Sequence, residues 1–148
     1  MTLIDWFNSG WLKKHTTSPR EIGALLIKVD RDISEGSRED ISLDWRLAMA
    51  YNACLGSATI ALSASGYRVP SGAGQHYRTI QSLKFTLETP SELISVLEAI
   101  SKKRAIVTYD EAGAASEEEV KEALRLAREM RQILGAWLDS QDPGCAPA

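Results

Sequence analysis

The stretch SLDWRLAMAYNACLGSATIALSASG, Ser42–Gly66, decides the fold. Leu43, Leu47, Ala50, Cys54, Ala58, Ala61 and Leu62 recur at the three-and-four spacing of one helical face, and Gly66 stands where a helix is closed by a residue free to take positive φ. Ala48, Ala53, Gly56, Ser57 and Ala64 add further small side chains. Bulk of this size lets neighbouring helices approach the axis closely. A helix this long and this slim belongs at the centre of a bundle.

The flanking segments carry matching start signals. Ser18-Pro19-Arg20-Glu21, Thr89-Pro90-Ser91-Glu92 and Ser116-Glu117-Glu118-Glu119 each place a hydroxyl three residues ahead of a glutamate, the pattern of a capping box. Two add proline at the first helical position, where a missing N–H costs nothing. Behind Ser18 the apolar stripe is Ile22, Leu25, Leu26, Val29 and Ile33, closed by Gly36. Behind Thr89 it is Leu93, Val96, Leu97, Ile100 and Val107, and behind Ser116 it is Val120, Leu124, Ala127, Met130, Leu134 and Leu138. Ala105–Tyr109 is rich in β-branched residues but continues the Leu93 stripe in phase, so it reads as helix. Shorter helices are expected over Leu3–Leu12 and His76–Leu87. Connections are short apart from Tyr67–Gln75, which favours antiparallel neighbours. The sequence therefore predicts an all-α, antiparallel up-and-down bundle of about five to six helices and no sheet. One domain is expected over 1–138, with a flexible polar tail over 139–148.

Composition narrows the function classes. The 148 residues are 44% hydrophobic and 25% charged, ordinary for a globular domain long enough to bury its own core. A net charge of −3 lacks the general basic excess of a nucleic-acid binder, so such a role must rest on a local patch. Cys54 and Cys145 are too few and too far apart for a disulfide framework, and with only His15 and His76 beside them no metal site is expected. Met1–Trp6 lacks the basic and apolar regions of a signal peptide, and no apolar run is read as reaching the roughly 20 residues of a membrane span. The expected location is cytoplasmic, with no membrane partner and no cofactor.

Two places carry chemistry. Arg104 falls about 20° from Leu93 on an ideal helix, in the middle of the apolar stripe. A guanidinium there must be paired with a carboxylate of a neighbouring helix, or must reach phosphate or a partner, with Lys102 and Lys103 adding charge beside it. The loop Gly66–Arg78 gathers Arg68, Arg78, Tyr67, Tyr77 and His76, and cations interleaved with aromatics can hold single-stranded RNA or a nucleotide by charge and stacking. The structural alternative is that Tyr67 and Tyr77 plug the bundle end while the arginines are solvated. Trp6, Trp11, Trp45 and Trp137 read as core or interface anchors. Apolar surface beyond what a monomer needs, with Arg104 in it, points to a homodimer or a protein heteromer built partly on the Arg104 helix.

The runs Ser65-Gly66-Tyr67-Arg68, Gly74-Gln75-His76-Tyr77-Arg78-Thr79-Ile80-Gln81-Ser82-Leu83 and Lys103-Arg104-Ala105-Ile106-Val107-Thr108-Tyr109-Asp110-Glu111-Ala112-Gly113 resemble bacterial HEPN-domain proteins over about Ile22–Leu138. The resemblance implies a helical bundle that often dimerises, found in toxin–antitoxin and other defence modules, frequently beside a nucleotidyltransferase-like partner. Its active members are metal-independent ribonucleases with an arginine, a polar residue after it and a histidine four to six residues on. Arg104 matches the arginine, but Ala105 replaces the polar neighbour and Tyr109 stands in the histidine's place. Tyrosine, with an ordinary pKa of about 10, is a poor general base near neutrality. The resemblance thus implies a non-catalytic or weakly catalytic module that binds itself, a protein or RNA. Its alternatives are a ribonuclease using Arg104 with Tyr109 or His76, and a plain structural bundle.

Overall fold

Helix starts follow the hydroxyl-plus-carboxylate grammar in three places, two of them in full. The computed structural model describes residues 1–141, so the expectations for Cys145 and most of the tail lie outside the described residues. At α1 (Leu3–Asn8), Thr2 Oγ1 accepts from the Asp5 amide while Asp5 Oδ2 accepts from the Thr2 amide, a box in which aspartate replaces glutamate. Ser116 and Glu119 form the full box ahead of α7 (Glu117–Ser140). Ser18 caps α2 (Pro19–Gly36), but only half a box forms: the Glu21 carboxylate turns away to His15 Nε2 and Thr17 Oγ1, each at 2.7 Å. The Thr89 box does not form. Pro90 itself is the cap residue of α6 (Ser91–Ala105), and the Thr89 amide is spent on the Leu83 carbonyl, closing the preceding helix.

Between these lie α3 (Leu43–Ala64), α4 (Gln75–Gln81) and α5 (Leu83–Thr86). The single helix expected over His76–Leu87 is thus two pieces. Hydroxyls compete for the helix carbonyls at the break, with Thr79 donating to Gln75 O and Ser82 to Thr79 O, and such back-bonding bends helices. The first helix stops at Asn8, four residues short of expectation, and Gly10 at φ +84 turns the chain. Ile106–Asp110 does continue α6 but as a π-helical turn, sealed by the Glu111 amide donating to Ile106 O at 2.8 Å. At its other end α7 runs two residues beyond the expected domain boundary at 138.

The bundle is all-helical, as the sequence predicts, with one small exception to the expectation of no sheet. β1 (Lys13–Lys14) pairs antiparallel with β2 (Tyr67–Arg68), Lys13 opposite Arg68 and Lys14 opposite Tyr67. The pairing ties the chain after α1 to the turn after α3. Lys14 Nζ sits 4.9 Å from the ring centres of both Phe7 and Tyr67, and under it Trp6, Leu12, Leu62, Tyr67 and Val69 form a second small core.

The main core is built round α3, which touches α2, α4, α5, α6 and α7. By length and composition α3 is apolar enough to cross a membrane, with mean hydropathy 1.3, which corrects the expectation that no such run exists; most of that stretch is buried inside the bundle. Its small residues are what let α2 close on it. A methyl group built on Gly56 would lie 2.8 Å from Val29 Cγ2, whereas one built on Gly23, on the open face of α2, would meet nothing within 4 Å. Cys54 is buried and free, its thiol pushed up to about 12 by burial.

The crossing at Gly56 makes a paired prediction. Gly23→Ala gains helix propensity without a clash and should stabilise by about 0.8–1 kcal/mol. Gly56→Val should destabilise by about 1–3 kcal/mol through overpacking, both read from urea unfolding midpoints.

Candidate functional site

The site begins with a tyrosine that the core holds still. Tyr51 lies midway along α3 and is wholly buried, yet its hydroxyl reaches the gap between α4 and α6. There Ser101 Oγ, on α6, donates to Tyr51 Oη at 3.2 Å, and His76 Nδ1, at the start of α4, lies 3.1 Å from the same oxygen. The His76 and Tyr51 rings are tilted by 47° with centres 5.9 Å apart. Arg104, one helical turn beyond Ser101, sets its guanidinium carbon 5.7 Å from the Tyr51 ring centre. One phenol therefore positions an imidazole and a guanidinium that are 28 residues apart in sequence.

The electrostatics follow from this packing. Burial holds the His76 pKa below its ordinary value, and the nearby Arg104 charge lowers it further. At neutral pH His76 is an uncharged imidazole on an exposed residue. With Nδ1–H donating to Tyr51, its Nε2 lone pair is free to accept a proton; with Tyr51 donating to Nδ1, the hydrogen sits on Nε2 instead. Burial also pushes the Tyr51 phenol up, opposed by the Ser101 hydrogen bond and Arg104, so it stays protonated and serves to orient. Glu98, on α6, is raised by its own burial and accepts from Gln81 Nε2 at 3.4 Å.

Arg104 is half-buried, and the carboxylate partner that a structural role would require does not appear. Among the described residues it enters no ion pair, and its Nε is buried without a hydrogen-bond partner. Its neighbours fan out round the helix. Lys103 Nζ pairs with Glu119 of α7 at 3.5 Å, while Lys102 is exposed. The expected triple of positive charge is thus a single guanidinium at the site.

The other residues singled out in sequence lie elsewhere. Tyr109 is 75% exposed on the π-helical turn, and among the described residues its side chain has no hydrogen bond to, or ring stacking on, His76 or Tyr51. The loop after that turn is held by Asp44 of α3, which accepts from the Gly113 and Ala115 amides at 2.6 and 3.3 Å. Arg68 lines a separate cleft with His15, Glu21, Ser63 and Gln75. Arg78 stacks on Trp11, its guanidinium carbon 4.6 Å from the ring centre. Tyr67 is buried, as a plug would be, but Tyr77 is not. Tyr51 and Ser101 were missed by the sequence reading because each looks like an ordinary bundle residue: Tyr51 lies in phase with Leu47, Cys54 and Ala58 on the buried face of α3, so nothing in its spacing sets it apart.

Among the described residues no group of three or more histidines, cysteines and carboxylates is arranged to hold a metal. No family model, characterised protein or solved structure matches the chain.

The Arg104–His76 coupling has a direct readout. An NMR titration of the His76 ring should give a pKa below the ordinary histidine value of about 6.5. Arg104→Gln should raise it, because the repelling charge is removed while the packing is largely kept. An unchanged His76 titration in that variant would mean that the two side chains do not sense one another.

Proposed function

We propose that the chain is a HEPN-like helical module whose working surface is the Arg104–Tyr51–His76 cluster, and that this surface holds a phosphate of RNA, binding it more readily than it cleaves it. The observation that carries this reading is Arg104. A half-buried guanidinium beside a neutral imidazole, with no carboxylate to spend its charge on, is matched to an oxyanion. The resemblance of residues 103–113 to the family's arginine motif points the same way.

A metal-independent ribonuclease is the second reading, and the lowered His76 pKa favours it in one respect. The 2′-hydroxyl of RNA would attack the adjacent phosphorus and pass its proton to His76 Nε2. The P–O5′ bond would break, the 5′ oxygen taking a proton from water, to leave a 2′,3′-cyclic phosphate and a 5′-hydroxyl. Arg104 would offset the charge on the phosphoryl oxygens. What limits this chemistry is the missing second proton carrier: the only other histidine, His15, is bound to Glu21 in the separate cleft. His76 supports this route better than Tyr109, which has no hydrogen-bonding or stacking partner among the described residues.

Self-association or a protein partner accompanies the proposal, including the nucleotidyltransferase-like partner implied by the resemblance. Ile27, Trp45 and Ile133 remain substantially exposed and give such a contact apolar surface.

Binding of a short fluorescent single-stranded RNA, followed by anisotropy at low salt, tests the reading. Arg104→Ala should weaken it by about tenfold to a hundredfold, the worth of a charged hydrogen-bonded contact. His76→Ala should leave binding within a few-fold and remove whatever slow cleavage the wild type shows in EDTA. Binding that ignores Arg104→Ala would overturn the proposal. Robust cleavage in EDTA that survives His76→Ala would instead move the proton acceptor to Tyr109.

A further inference from the structure

Beside the phosphate site, and one residue along α4, the end of the bundle opens into a cleft of about 230 Å³ walled by Trp6, Trp11, Tyr77, Gln81 and Lys84. We propose that this cleft is a stacking subsite for one base of single-stranded RNA, a proposal that rests on the RNA reading of the Arg104–His76 cluster. The volume lies below the roughly 300–1,000 Å³ of pockets for drug-sized ligands, a scale suited to a single ring system. Its walls have unspent π surface. Tyr77 is 52% exposed and Trp11 36% exposed, and among the described residues Tyr77 packs against no other ring. Trp11, expected from sequence to be an anchor, is held edge-on by the buried Trp6 with ring centres 5.0 Å apart and keeps part of its surface in the cleft.

The charged side chains over the cleft's rings are cations. Arg78 lies over Trp11, and Lys84 Nζ is 5.6 Å from the Trp6 ring centre and 5.1 Å from that of Phe85. Neither cation enters an ion pair among the described residues, and no carboxylate lines the cleft. In a chain of net charge −3, aromatic rings capped by two free cations form the kind of local patch that single-stranded nucleic acid uses. Gln81 ties this cleft to α6, the helix that carries Arg104. Its amide nitrogen donates to Glu98 on α6, which leaves its carbonyl oxygen to accept an N–H from a base edge. Tyr77 follows His76 directly, about 100° round α4, so a base against Tyr77 and its phosphate against His76 and Arg104 are neighbours on one strand.

Two ligands separate the base from the backbone: a short fluorescent oligouridylate, and an oligomer of the same length made of abasic nucleotides. The wild type should bind the first about tenfold more tightly, the worth of one stacked base. Tyr77→Ala, a surface change checked for folding by circular dichroism, should bring both to the abasic affinity. Arg104→Ala should weaken both by the same factor. A wild type that does not distinguish the two ligands, or a Tyr77→Ala protein that keeps the base preference, overturns the stacking subsite. In that case equal weakening of both ligands by Arg104→Ala leaves the phosphate site standing. A wild type that binds neither ligand removes both.

Discussion

The position of the Tyr51 hydroxyl constrains everything at the site. Its ring is fixed by the core of α3, where side-chain freedom has already been given up to packing, so its oxygen is a rigid reference point. Two parts of the chain far apart in sequence, the start of α4 and the last turns of α6, take their bearings from it through His76, Ser101 and Arg104. Without the phenol oxygen, Ser101 and His76 Nδ1 would each lose a hydrogen-bond partner in a half-buried gap, at a cost of about 1–3 kcal/mol for each group left unsatisfied. The tyrosine is protonated and stays so, because burial pushes its titration up. Its contribution is orientation, in the way that a group behind a catalytic histidine selects a tautomer.

The bundle was legible because its signals are local. Helical phase in Ser42–Gly66 and the apolar stripes behind Ser18 and Ser116 identify elements whose buried faces agree with the structure, down to Ile22, Leu26, Val29, Leu47, Val120 and Leu134. Errors arose where a second interaction competed for the same group. Thr89 did not cap α6 because its amide closes α5, and Glu21 did not complete its box because His15 and Thr17 took the carboxylate. The β1–β2 pair was invisible because two residues a side carry no periodicity, and its partners lie more than 50 residues apart. Of the site, Arg104 was legible as a charge in the wrong place on a helix, and His76 as one of two histidines. Their meeting across Tyr51 depends on how α4 crosses α3 and α6, which no local pattern encodes.

Electrostatics gives the surface its division of labour. Acidic side chains gather on α7, where Glu122, Arg125 and Glu129 pair along one exposed face and Glu119 neutralises Lys103. Such exposed pairs contribute little to stability. They occupy Lys103 and Arg125, whereas Arg104, Arg78 and Lys84 enter no ion pair among the described residues. An overall acidic chain can in this way present a small basic and aromatic surface, with a neutral imidazole at its edge. The same arrangement keeps His76 from becoming a second cation, since Arg104 and burial both oppose its protonation.

The claim at the centre of this account is that Arg104 and His76 share one phosphate. Detection of the arginine Nε–H and histidine ring resonances by NMR, while the protein is titrated with a short single-stranded RNA in EDTA, addresses it most directly. The account predicts that Arg104 and His76 shift together with a single midpoint, and that Arg125 and Arg131, already paired on α7, do not move. Shifts confined to Arg68 and His15, or spread evenly over all exposed cations, would contradict it.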